Sequence, residues 1–134
     1  MTNQEAFDKM VNHLRSLKGR SLDGDNEKCV YNGNKCAVGI LMTDEEQEEY
    51  GNFHGSACGL MYQMKLDGHI SAMHTFDPLL LTRMQELHDN DFSWCKYKGF
   101  VEEPELKRLA GEFSLLYTKP RYNHHMPKPY QQGD

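Results

Sequence analysis

The chain has 134 residues, 38% of them hydrophobic and 26% charged, with a formal net charge of −5. That length and balance predict one soluble domain that buries its own core without metal or disulfides. The net acidity argues against a nucleic-acid-binding body, no apolar run is long enough for a membrane span, and the polar N-terminal stretch lacks a signal-peptide core.

The first element announces itself through Thr2 and Glu5, which have capping-box spacing. Phe7, Met10, Val11, Leu14 and Leu17 then recur at three- and four-residue intervals, which predicts an amphipathic helix over 3–18. A polar loop at 20–28 leads into "CVYNGNKCAVGILMTDEE", Cys29–Glu46. Asn32-Gly33 between β-prone residues predicts a hairpin over 29–38. The following apolar run, Val38–Met42, fits either an extension of the second strand or a short buried helical turn. Thr43 and Glu46 repeat the capping-box spacing, so a short acidic helix is expected from Asp44 to about Gly51, its first-turn acids favoured by the helix dipole.

Residues 52–74 contain Gly55 and Gly59 and read as irregular, with Leu60, Met61, Met64 and Leu66 forming a helical turn or two. Asp77-Pro78 supplies an N-cap and a first-position proline for a helix whose stripe is Leu80, Leu81, Met84 and Leu87, ending near His88-Asp89-Asn90. The stretch 92–100 is aromatic loop or short strand around Trp94. Glu103-Pro104 opens a last helix, expected to run to 116 with Leu106, Leu109, Ala110, Phe113 and Leu116 inward. From Tyr117 the chain turns proline-rich, with Tyr117, Tyr122 and Tyr130 among Lys119, Arg121 and Lys128, and no apolar period survives. The expected fold is therefore α+β: a helix-dominated single domain over 1–116, a short hairpin at 29–38, and an extended or disordered basic and aromatic tail over 117–134.

Three kinds of chemistry can be sought in these residues. A thiol nucleophile needs a histidine in reach and a group to orient it. Cys58 or Cys36 with His88 and Asp89 supplies the types, and Cys58 is favoured because Cys36 lies in the most apolar run, where burial silences a thiol. A structural zinc site needs closely paired ligands. Cys29 and Cys36 have six residues between them, so only a cluster assembled in space from Cys29, Cys36, His54 and Cys58 remains open. His69 and His74 are five apart, which a helix would set on different faces. The acids Asp44, Glu45, Glu46, Glu48 and Glu49 read either as a solvated face or as a recognition surface for a basic partner. No phosphate loop, dinucleotide fingerprint or nucleophile elbow is present, and no cofactor is implied.

Taken together, Cys29, Tyr31, Cys36, Ala37, Val38, Gly39 and Leu41, the helix "LLLTRMQELHDND" and Trp94 resemble a group of small proteins encoded by tailed bacteriophages and prophages. These share a Cys-x-Tyr…Cys-Ala-Val-Gly-x-Leu core and a leucine-rich helix ending in His-Asp, and the resemblance spans residues 3–94. It implies a phage origin and a host-cell cytoplasmic setting, where the cysteines stay reduced; it implies no mechanism. The expected function is an accessory protein that binds and inhibits a host or anti-phage defence protein with a basic surface, through Asp44, Glu45, Glu46, Glu48 and Glu49. The alternatives are a small cysteine enzyme built on Cys58, His88 and Asp89, and a protein that sequesters a nucleotide without chemistry.

Overall fold

In the computed structural model, which describes residues 2–17, 36–95 and 98–120, the first helix begins where its cap predicts. Thr2 Oγ1 accepts from the Glu5 amide at 3.1 Å, and the Thr2 amide donates to Glu5 Oε1 at 2.8 Å. The helix, α1 (Asn3–Ser16), buries Ala6, Phe7, Met10, Val11 and Leu14 on one face. It stops at Leu17, which turns to extended geometry.

Most of the hairpin expected at 29–38 lies outside the described residues. Its described part, Cys36–Val38, is a turn rather than a strand and leads into a 3-10 turn at Gly39–Leu41. The reason is backbone accounting: every buried N–H needs an acceptor, and helices surround this segment. The Val38 amide donates to the Gln85 side chain at 3.0 Å, while Ile40 and Leu41 bond back to Cys36 and Val38. The chain satisfies itself by curling, so the helical option for the apolar run is the one realised.

A second capping box, Thr43 with Glu46, starts α2 (Asp44–Tyr50). Ser56 accepts from the Gly59 amide at 3.0 Å and starts α3 (Ala57–Leu66), a fuller helix than the glycines of this stretch suggest. The ring of Phe53 lies over both Gly55 and Gly59; a side chain at Gly55 would meet it at 2.8 Å. The helix ends in a Schellman turn: His69 N bonds Met64 O, Gly68 N bonds Lys65 O, and Gly68 takes φ +75°. A 3-10 turn at Ala72–Thr75 precedes α4 (Pro78–Asp89), capped by Asp77.

Among the described residues, a two-stranded antiparallel hairpin of this α+β fold falls within 92–100, the stretch that reads from sequence as aromatic loop or short strand. It pairs β1 (Trp94–Cys95) with β2 (Gly99–Phe100), Trp94 opposite Phe100. Last comes α5 (Glu103–Glu112), which buries Leu106, Leu109 and Ala110 but stops short of 116. Ser114 at φ 55° closes a second Schellman turn, with Leu115 N on Ala110 O and Ser114 N on Gly111 O. Leu116, expected inward, is therefore 77% exposed.

The chain then runs beside α1. Leu116 and the Gln4 side chain exchange two hydrogen bonds, and Thr118 O accepts from Arg15 Nη2 at 2.8 Å. Arg15 also grips Glu103 through two nitrogens at 2.7 and 3.0 Å, and Tyr117 donates to the same carboxylate. Tyr117 and Thr118, read from sequence as the start of the tail, are thus fastened to the body; residues 121–134 lie outside the described ones.

The core sits between α1, α3, α4 and α5, where Phe7, Leu14, Leu60, Leu80, Leu81 and Leu106 are fully buried or nearly so. Met10, Met42, Met61, Met64, Met73 and Met84 are buried with them, and their flexible thioethers fill the uneven gaps between short helices. No helix among the described residues is long and apolar enough to cross a membrane.

Candidate functional site

The thiol and imidazole residues separate along α4. Cys58 is exposed at the start of α3, its amide 3.3 Å and its sulfur 3.0 Å from Thr82 Oγ1, with Pro78 O at 3.5 Å. Those partners belong to the first two turns of α4. His88 is in the last turn, six residues past Thr82, or roughly 9 Å further along the axis and on a different face. Cys58 and His88 therefore form no nucleophile–base pair, and the grouping of Cys58, His88 and Asp89 is corrected.

The cysteine near His88 and Asp89 is instead Cys36. Its side chain contacts Gln85 and feels the Asp89 charge, and burial, the larger effect, pushes the thiol up to about 12. It is held as a neutral thiol, the wrong state for a nucleophile. His88 is wholly buried: Nδ1 lies 2.8 Å from Asp89 Oδ1 and 3.3 Å from Gln85 Nε2, and its carbonyl accepts from Trp94 Nε1 at 2.7 Å. Trp94 stands edge-on between His88 and Phe100, with centroid separations of 5.8 and 5.4 Å. Gln85 completes the group by accepting from Val38 and donating to Asp89 at 2.8 Å. The cluster locks the end of α4 to the Cys36–Leu41 turn and to β1. Its chemistry is that of a polar bolt.

No three His, Cys, Asp or Glu side chains converge as metal ligands among the described residues. Of the zinc set considered, Cys29 lies outside those residues, while Cys36 and Cys58 sit against opposite ends of α4. A shallow cleft of about 180 Å³ runs between α4 and α5, lined by Arg83, Glu86, Leu87, Asn90, Glu105, Arg108 and Leu109. That is small for a nucleotide. Its cations are already engaged, Arg83 with Glu112 and Arg108 with Glu105 and Glu112.

The acidic helix divides in two. Asp44, Glu45, Glu48 and Glu49 are exposed, but Glu46 is only 4% exposed and points inward. Its Oε1 accepts from the Thr43 amide at 2.9 Å, and its Oε2 lies 2.6 Å from His69 Nε2. Burial alone would raise this carboxyl; hydrogen bonds from His69, Thr43 and Ser71 outweigh it and hold the group below the ordinary value. Glu46 is therefore a structural anchor and leaves the proposed recognition set. Beside it Tyr50 donates to Asp67 Oδ2 at 2.8 Å, and burial, reinforced by that carboxylate, pushes the phenol up to about 12.

Sequence reasoning weighed His69 and His74 only as metal ligands and missed the hydrogen bonds that they make. His74 Nδ1 accepts from the Ser71 amide, so its Nε2–H donates to Met61 O at 2.9 Å, an arrangement made by the neutral ring. The sequence did carry a signal for Glu46: the N3 acid of a capping box folds back on its own N-cap. No signal pointed to His69, whose partner is 23 residues away. No family model matches the chain, and neither a curated protein nor a solved structure matches it.

Proposed function

We propose that this protein is an interaction module that binds a partner with a basic surface through the exposed acids of α2. The observation that carries the reading is that Asp44, Glu45, Glu48 and Glu49 face solvent on a helix fixed at both ends. Its start is closed by the Thr43–Glu46 box, and its last residue, Tyr50, is bonded to Asp67. A fixed array of like charge favours fast, orientation-selective association with a basic face, at little ordering cost. The sequence resemblance to phage-encoded proteins makes a host or anti-phage defence protein the class of partner, and inhibition the proposed consequence.

The test is affinity capture from phage-infected cells, comparing the wild type with the triple variant Glu45→Lys, Glu48→Lys and Glu49→Lys. The reading requires a basic protein that the wild type retains and the variant releases. Capture unchanged by the reversal, or no captured protein at all, refutes it.

A further inference from the structure

We infer that the connector from His69 to His74, between α3 and α4, is a proton-operated switch: protonation of His74 releases the Ala72–Thr75 turn, while His69 keeps the other end fixed to α2. Two backbone groups dictate the state of the His74 ring. The Ser71 amide can only donate, so Nδ1, 3.1 Å away, is bare; the Met61 carbonyl can only accept, so Nε2, 2.9 Å away, carries the hydrogen. A proton added at Nδ1 sets two N–H groups against each other. Ser71 is only 3% exposed, so its amide then loses its acceptor where water scarcely reaches. The same turn holds the Met73 amide on Ser71 Oγ and carries Met73 and Phe76 into the core.

His69 has the opposite demand. Its Nε2 faces Glu46 Oε2 at 2.6 Å, and a proton on this ring turns the hydrogen bond into an ion pair. Burial acts to raise the Glu46 carboxyl, but hydrogen bonds from His69, Thr43 and Ser71 hold it below 4.5. A carboxylate therefore faces His69 throughout the range, about pH 5 to 8, in which imidazoles change charge. The other ionisable groups around the connector are Glu49 and Tyr50 of α2, Lys65 and Asp67 at the end of α3, and Asp77 at the start of α4. Asp67 is engaged by Tyr50 and Gln63, Asp77 accepts from the Leu79 amide, and α1 meets the connector's end through the uncharged Asn3. Among these groups, only Glu46 is bonded to a connector ring. One step towards acid thus tightens the connector at His69 and loosens it at His74, so that it opens at one end.

The test is native-state amide hydrogen exchange of the full 134-residue chain, followed by NMR at pH 7.5 and 5.5. Rates are expressed as protection factors, so the intrinsic pH dependence of exchange cancels. The expected result is at least a tenfold loss of protection at Ser71 and Met73 at pH 5.5, with the α4 amides of Met84 and Leu87 unchanged. His74→Asn keeps an acceptor at the Nδ1 position but does not titrate, and should abolish the change. His69→Gln keeps a neutral donor towards Glu46, and should retain it. Protection unchanged in the wild type, a loss shared equally by α4, a loss that persists in His74→Asn, or one that disappears in His69→Gln overturns the switch. Proton–nitrogen correlation NMR of the wild type decides the matter even where Asn fails to hold the turn. The His74 ring should carry its hydrogen on Nε2 alone at pH 7.5, and Ser71 protection should fall in step with the ring's titration. A hydrogen on Nδ1 at pH 7.5, or protection lost while the ring is still neutral, overturns the inference.

Discussion

His69 Nε2 lies 2.6 Å from Glu46 Oε2, and this contact ties the acidic helix α2 to the turn that ends α3. Because the fold favours ionised Glu46, its carboxyl has a lower pKa folded than unfolded. Its stabilisation is then fully present above the ordinary value of 4.5 and is lost as pH falls through the lower folded value. Glu46→Ala should cost about 2 kcal/mol at neutral pH, the scale of hydrogen bonds to a charged group. It should also flatten the acid limb of a Tm-against-pH curve. An acid limb identical to that of the wild type contradicts this role.

The two Schellman turns predict opposite effects. Gly68 has φ +75° and open space where a Cβ would point, so Gly68→Ala meets backbone strain alone and should cost about 1 kcal/mol. Ser114 occupies the same region at φ 55°. Ser114→Gly should therefore gain about 0.5 kcal/mol, the relief of strain offset by a more flexible unfolded chain. Urea denaturation of the two variants checks the pair, and the same sign for both is the contrary outcome.

Gln85 joins α4 to the Cys36–Leu41 turn: it accepts from the Val38 amide and donates to Asp89 beside the buried His88. Gln85→Leu preserves size but leaves the buried Val38 N–H unpaired. The expected loss is about 2 kcal/mol. The fluorescence of Trp94, the only tryptophan in the chain, should report it, because Trp94 bonds the His88 carbonyl. An unfolding midpoint unmoved by the substitution shows that the cluster is not the bolt described.

Thiol reactivity should separate two cysteines that the sequence offered as rival nucleophiles. Cys58 is exposed, whereas Cys36 is fully buried with its thiol pushed up to about 12. Ellman's reagent at pH 8 should modify Cys58 in the native protein and reach Cys36 only after denaturation. Peptide mapping by mass spectrometry reads the sites directly; rapid native labelling of Cys36 is the opposing result.

Where the residues that make a feature lie within a turn of one another, the sequence was enough. The boxes Thr2–Glu5 and Thr43–Glu46, the Asp77-Pro78 start and the apolar stripes of α1 and α4 are local hydrogen-bond and periodicity patterns, and each recurs in the structure. Leu66 and Leu116 show where periodicity fails. Each continues an apolar pattern, yet Leu66 lies on the outer side of α3 and Leu116 follows the turn at Ser114. Periodicity marks which residues could share a face, but not which face finds a neighbour or where a left-handed residue ends the helix.

By itself, then, the sequence determined a small helix-dominated domain, the starts of α1, α2, α4 and α5 and an acidic surface segment, because caps and amphipathic stripes are written in neighbouring residues. Only the tertiary structure decided that Glu46 turns inward to a histidine 23 positions away. It also decided that Cys36 rather than Cys58 lies beside Gln85 and Asp89, and that the strands pair at 94–100. Those outcomes depend on which buried donor finds which acceptor once the helices pack, and packing unites residues that no spacing along the chain connects.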